Sequence, residues 1–436
     1  MIDDGAPLAF GQEALWLHQQ LRPSSSAYNV PVAYRLTGPL RIDLLRTALE
    51  VIVGRQDALR TVFPEDESEE PFQQVLPVDE LFLSHHDFTG ADAQEVRKAV
   101  DDLARKPFDL LVDRPLRVAV FRLGDDDHVV VFVMHHIVSD GWSLRILLDE
   151  LSMAYQALWR GADPLAVLPT LPVRYTDYAW WQREWPPPAE LDARLAYWES
   201  ALAGAPVLDL ANGRPRSPRP SFAADRLIVP VPAAVADDAR LRAAAAGTSL
   251  FALFAAAFAM VLRRRTGESD VAFGTMLVGR VEPEFEPLIG YFVNLVVLRC
   301  AVSDDAEVEA VARSLGPTML AAIDHEVPFS SLVKRLAPRR TSGRNPIVQI
   351  AMQLRTGGSA PATLDLPGVS PVELDVYQGE HTFDLICTFL DTTTGLAISL
   401  EYPTEVFDHC WASEFADDLI ELLNRPEGDT TDGGPR

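Results

Sequence analysis

The stretch "HVVVFVMHHIVSDGWSLRILLDELSMAYQALWRG" (128–161) constrains the fold more than any other. Its first nine residues are mostly β-branched and follow the turn-forming "GDDD" at 124–127, so they read as a strand. Leu144, Leu147, Leu148, Leu151 and Tyr155 then recur at helical spacing, with Gly161 placed to end that helix. Alternation across the strand points His128, Val130, Phe132, Met134 and His136 one way, and Val129, Val131, Val133 and His135 the other. The adjacent histidines therefore cannot act together on one atom. One faces a reaction or ligand, and the other is packed as structure. Ser139 or Asp140 is suited to cap the helix, which leaves the N–H groups of Gly141 and Trp142 among its unpaired first-turn donors. A histidine base beside a helix N-terminus can take a proton and stabilise developing negative charge, a combination that suits acyl transfer. The plainer reading of either ring is a satisfied core histidine. A metal site would need a third ligand at suitable spacing, so no metal is expected.

Elsewhere, helices fit 41–57 (with Asp43 as N-cap), 92–107, 190–203, 233–246, 249–265, 305–324 and 412–424. Strands fit 30–38, 116–124, 226–232, 270–277, 292–300, 347–354, 383–391 and 395–403. The two kinds alternate irregularly, which predicts a mixed α/β architecture without a strict βαβ repeat. Three successive prolines in "WWQREWPPPAELDARL" (180–195) favour an extended connector and divide the chain into two domain-sized halves. The expected units are 1–180 and 181–424, followed by a polar, glycine-rich tail at 425–436 that reads as disordered.

A formal net charge of −25 with no long basic run argues against nucleic acid or an anionic membrane as partner. Cys300, Cys387 and Cys410 are widely spaced and odd in number, so neither a disulfide framework nor a zinc site is expected. The N-terminus "MIDDGAPLAF" has no basic or apolar leader region, and "SLFALFAAAFAMVLRRR" (249–265) reads as a buried core helix rather than a membrane span. A cytoplasmic protein is expected. No nucleotide-binding glycine loop and no G-x-S-x-G elbow occurs.

"HHIVSDGWS" (135–143) resembles the H-H-x-x-x-D-G signature of nonribosomal peptide synthetase condensation domains, whose superfamily includes chloramphenicol acetyltransferase. Further blocks follow that family in order: "LAFGQEALW", "RQDALRTVF", "YTDYAWWQ", "FGTMLVGR", "IGYFVN", "HEVPFSSLV", "GRNPIVQIAMQL" and "EYPTEVFD". The resemblance covers about residues 8–424. It departs at Phe10-Gly11 and Ala14 in the first block, at Gln56 and Asp57 in place of His-Glu, and at Leu295 where threonine is common. These departures bear on donor or acceptor preference more than on catalysis.

The resemblance implies an α/β fold of two chloramphenicol acetyltransferase-like lobes, a V-shaped pseudo-dimer around a central substrate tunnel. It implies that His136 faces the tunnel as the catalytic residue, with the Gly141 N–H placed to stabilise the thioester oxygen. His135 would be structural, Asp140 would pair with Arg280 to shape the site, and Trp142 and Asn294 would line the tunnel. By the same resemblance the chain binds no cofactor itself. The acyl group arrives on the phosphopantetheine arm of a separate peptidyl carrier protein, and a small-molecule amine or alcohol accepts it. The start methionine and polar tail suggest a free-standing enzyme. Three alternatives stay open: an epimerisation domain, a silent recruitment domain, and a coenzyme A-dependent acyltransferase. The epimerisation pattern continues D-G-V-S-W-R where this chain has Asp-Gly-Trp-Ser, and silent domains tend to lose the second histidine.

Overall fold

In a computed structural model, the described residues are 5–78, 83–211, 217, 221–337, 345–356, 364–392 and 395–424; the expected tail at 425–436 lies outside them. The first part of the chain runs β1 (Ala6–Pro7), α1 (Phe10–Leu21), β2 (Asn29–Thr37), α2 (Ile42–Arg55), β3 (Thr61–Val62), β4 (Phe72–Val75), β5 (Leu83–Asp87) and α3 (Ala93–Arg105). It continues through β6 (Leu116–Gly124), β7 (Asp127–His135), α4 (Gly141–Trp159), α5 (Tyr175–Glu184) and α6 (Pro188–Ala201). The second part runs β8 (Ala224–Pro230), α7 (Ala233–Ala245), α8 (Leu250–Thr266), β9 (Asp270–Val278), β10 (Val293–Ala301), α9 (Val308–Asp324), α10 (Phe329–Leu336) and β11 (Ile350–Thr356). It ends with β12 (Ser370–Leu374), β13 (Leu385–Thr392), β14 (Gly395–Pro403) and α11 (His409–Leu423).

Two open sheets organise these elements, in the orders β12-β2-β7-β6-β5 and β10-β9-β11-β13-β14-β8, beside a small sheet β1-β4-β3. β7 is an inner strand with a helical layer on each face. Val130, Phe132 and Met134 pack with α2 and α4, while Val129, Val131 and Val133 pack with α1, α3 and α5. Burial on both faces is the physical reason for its unbroken apolar run. In the second sheet's core, α8 is buried along Ala252–Leu262, as expected of a core helix. No single helix among the described residues is long and apolar enough to cross a membrane.

The two parts are joined twice through backbone that crosses from the second to the first. β12 leaves the second sheet and pairs antiparallel with β2, Ser370 opposite Thr37 through Leu374 opposite Ala33. The division read from the prolines does not foresee this strand. Glu380, just beyond it, accepts hydrogen bonds from the Ser25 hydroxyl at 2.6 Å and the Ser26 N–H at 3.1 Å. The segment 279–292 makes the second crossing, at the candidate site.

Local chemistry departs from the sequence reading in two places. Asp43 does not cap α2: the helix starts at Ile42, and Asp43 sits in its first turn, bidentate with Arg41. A carboxylate there still complements the helix dipole. The prolines form no long connector, because Pro188 opens α6 as its first residue. Proline suits that position, where its missing N–H would have no helical partner. Helices α1, α5 and α10 are additional to those expected.

Candidate active site

The site assembles where β7 ends and α4 begins. The strand stops at His135, and His136 opens a single 3-10 turn, His136–Val138, that swings its ring out of the strand's alternation. His135 is buried, accepts the Ile137 N–H on Nδ1 at 3.1 Å, and lies edge-on to Phe108. Burial pulls its pKa down to about 3, with the neighbouring histidines adding to the effect, so it is a neutral packing residue.

His136 is half-buried, and its Nδ1–H donates to the Ser139 carbonyl at 2.5 Å. That bond fixes the tautomer and leaves the Nε2 lone pair as the basic atom. Burial lowers the ring's pKa below its ordinary 6.5, opposed by the Ser139 carbonyl and the Asp140 carboxylate. The Tyr291 ring stands perpendicular to the imidazole, centroids 5.1 Å apart.

Asp140 caps α4 by accepting the Ser143 N–H at 2.7 Å. Gly141 and Trp142 occupy the first two helical positions, and their N–H groups have no hydrogen-bond partner among the described residues. At Gly141 a Cβ would meet no protein atom within 4 Å. An oxyanion arriving at this helix start would face uncommitted donors and the positive end of the dipole.

Asp140 also pairs with Arg280 at 3.1 Å, the two side chains 2% and 3% exposed. Arg280 holds more than that partner. Its guanidinium donates to the Phe285 and Leu288 carbonyls and to the Ser143 hydroxyl, each at 2.8 Å, and stacks over Phe292 at 3.8 Å. Asp140 in turn accepts the Phe292 N–H at 3.2 Å. The crossing segment 279–292 is thereby fastened to the N-terminus of α4.

Gln56 adds a second fastening, donating to the Pro287 carbonyl and accepting the Ile289 N–H at 3.0 Å. The departure from the family pattern at this position thus falls on a buried tie to the crossing segment. Ser143 bonds both the carbonyl and the N–H of Gly290. Gly290 is packed so tightly that a Cβ would lie 2.0 Å from the Tyr175 ring. Gly290→Ala is therefore expected to destabilise the protein by about 1–3 kcal/mol through overpacking, read as a lower urea midpoint at unchanged m-value.

The remaining sequence candidates are held by other partners. Trp142 is 43% exposed and donates its indole N–H to the Glu286 carbonyl at 3.1 Å. Asn294 lines a cleft and ties α10 in place, donating to Glu326 and the Val327 carbonyl while accepting the Phe329 N–H. Tyr291, Ser143 and Gly290 escaped the sequence reading. Two of them stand in the quoted "IGYFVN" and one in "HHIVSDGWS", so the signal was present without its spatial meaning.

A histidine base, an open helix start and a buried aspartate–arginine clamp between two lobes now stand together. A sequence model of the condensation domain matches residues 2–431. The chain belongs to the condensation-domain family. A linear gramicidin synthase polypeptide of Brevibacillus parabrevis is 34% identical to this condensation domain over 413 residues, covering 93% of it and 8% of its own length. Isonitrile lipopeptide synthase of Mycobacterium tuberculosis is 35% identical over 432 residues, covering 96% and 17%. The condensation domain thus spans less than a fifth of either relative. The X-domain from teicoplanin biosynthesis superposes with a TM-score of 0.85 at 26% identity, covering 97% of this chain and 95% of its own. The X-domain in its complex with OxyB matches with a TM-score of 0.84 at 25% identity, covering 97% and 93%. The fold is accordingly the expected α/β pair of chloramphenicol acetyltransferase-like lobes in a V-shaped pseudo-dimer.

Proposed function

We propose that this condensation domain transfers an acyl or aminoacyl group from a carrier-protein thioester to an amine or alcohol, in the cytoplasm, with the carrier supplied as a separate protein. The carrying observation is the fixed tautomer of His136 beside the uncommitted N–H of Gly141. The nucleophile's proton passes to Nε2 as its nitrogen or oxygen attacks the thioester carbon. Negative charge on the thioester oxygen is met by the Gly141 N–H and the α4 dipole. The C–S bond then breaks, and the phosphopantetheine thiolate leaves and takes the proton back from His136. The phosphopantetheine belongs to the carrier, and this chain needs no cofactor of its own in that sequence. Asp140 and Arg280 act by positioning the helix start, and Trp142 and Asn294 by bordering the substrate's path.

Incubation with an acyl-loaded carrier and amine or alcohol acceptors tests this reading, with condensed product detected by mass. The likeness to an X-domain that forms a complex with OxyB favours a second reading, recruitment of a partner enzyme without chemistry. No turnover, together with stable binding to another protein, would decide for recruitment. Turnover with an acyl coenzyme A in place of the carrier would replace the donor and keep the site.

The lowered pKa of His136 sets the acid limb. Protonating Nε2 removes the base, so kcat/KM rises with pH. With an alcohol acceptor, which does not titrate in this range, the midpoint is expected below 6.5 because burial favours the neutral ring, with a plateau through neutral pH. An acid limb centred above 6.5 would show that another group limits the rate.

A further inference from the structure

Beyond Tyr291 lies a cleft with about 560 Å³ of space, part of it open solvent, and His136 is not in its lining. Its walls come from both lobes and carry the rings of Trp181 and Tyr291 together with the carboxyl group of Glu326. They also carry the rings of Phe10 and Trp185, each of which already has one face covered by a guanidinium, of Arg183 and Arg194 respectively. Trp181 and Trp185 stack at 5.0 Å and extend one aromatic wall. Glu326 accepts the Asn294 amide N–H on Oε1 at 2.9 Å, while Oε2 has no hydrogen-bond partner among the described residues. The nearby cation, Arg194, is committed: it pairs with Glu190 at 2.6 Å and donates to the Glu326 backbone carbonyl. With Glu326 ionised, Glu190, Arg194 and Glu326 together carry one net negative charge; burial raises the Glu326 pKa above its ordinary value, and a bound cation would favour the ionised form. Aromatic faces attract cations through their quadrupole, and a partly desolvated carboxylate adds a counter-charge. Neither feature favours a neutral or anionic guest.

We propose that this cleft binds a positively charged group of the ligand, an ammonium separate from the nucleophile. On the acyl-transfer reading, from which the ligand's role is taken, the acceptor is a diamine, an amino alcohol or an amino acid with a basic side chain. Its fixed cation lies in the cleft and its reactive end passes Tyr291 toward His136. The class differs from the neutral pantetheine arm, which an aromatic passage alone would accept equally well.

Calorimetric titration of the whole protein with 1,5-diaminopentane, 1,5-pentanediol and pantetheine tests the assignment. The diamine is expected to bind about tenfold or more tightly than the diol, and Glu326→Gln to abolish that preference with the melting temperature checked. The wild-type contrast needs no variant, so misfolding of Glu326→Gln leaves the test intact. Equal binding of diol or pantetheine in the wild type overturns the proposal. A diamine preference without product from any loaded carrier upholds the cation site and sinks the acyl-transfer reading. Product formation with an unchanged KM for the diamine in folded Glu326→Gln does the reverse.

Discussion

His136→Ala is expected to cut ester formation by about 10²–10⁴-fold, the usual contribution of a positioned general base. Amide formation with a matched amine should fall less. An alcohol holds its proton until the transition state and needs a base there, whereas an α-amine with a pKa of about 8 is already partly free base at neutral pH. For the amine, positioning supplies more of the rate. The ring is half-buried and its one hydrogen bond among the described residues goes to a local carbonyl, so its loss should leave the fold intact. The measurement is single turnover of one loaded carrier with paired amine and alcohol acceptors of the same skeleton. Equal losses for the two would refute the general-base role and leave His136 a positioning residue.

Arg280→Ala should be the most destabilising change at the site, by about 3–5 kcal/mol, because it strands Asp140 as a buried unpaired charge. The variant also frees the Phe285 and Leu288 carbonyls and removes the cation over Phe292. The crossing segment would loosen from α4, and activity should fall even at temperatures where the protein stays folded. Urea unfolding of the purified protein gives the first quantity, and turnover below the transition gives the second. Adding Asp140→Asn to Arg280→Ala should recover part of the stability, since the stranded charge is then gone. Full stability in Arg280→Ala alone would mean that Asp140 is solvated, contrary to its 2% exposure.

The eight helices and nine strands expected from periodicity are all present, with ends shifted by a few residues. Their signals are local: β-branched runs such as 129–133 and helical repeats such as Leu144–Leu147–Leu151 need no knowledge of neighbours. Short elements were harder to see. Helix α10 has eight residues and no side-chain cap, and α5 has ten, with only Asp177 reaching back to the Arg174 N–H at its start. Such segments are helical because other parts of the molecule cover them, which no local pattern encodes.

The sequence by itself determined that His135 and His136 have different surroundings, because alternation along a strand separates neighbours; only the resemblance to condensation domains singled out His136. It also placed a helix start at Ser139 or Asp140, and the structure chose Asp140, whose carboxylate accepts the N–H three residues on. Tertiary structure decided what those residues meet. The 3-10 turn fixed the His136 tautomer, and the 279–292 crossing brought Arg280, Gly290 and Tyr291 to it from more than 130 residues away. Burial of a charge pair between lobes and the aromatic cleft beyond Tyr291 depend on surfaces that exist only after both sheets have formed. Distant contacts of that kind leave no periodicity in the chain, so the candidate histidine could be placed at a strand end from local pattern, whereas most of what surrounds it could not.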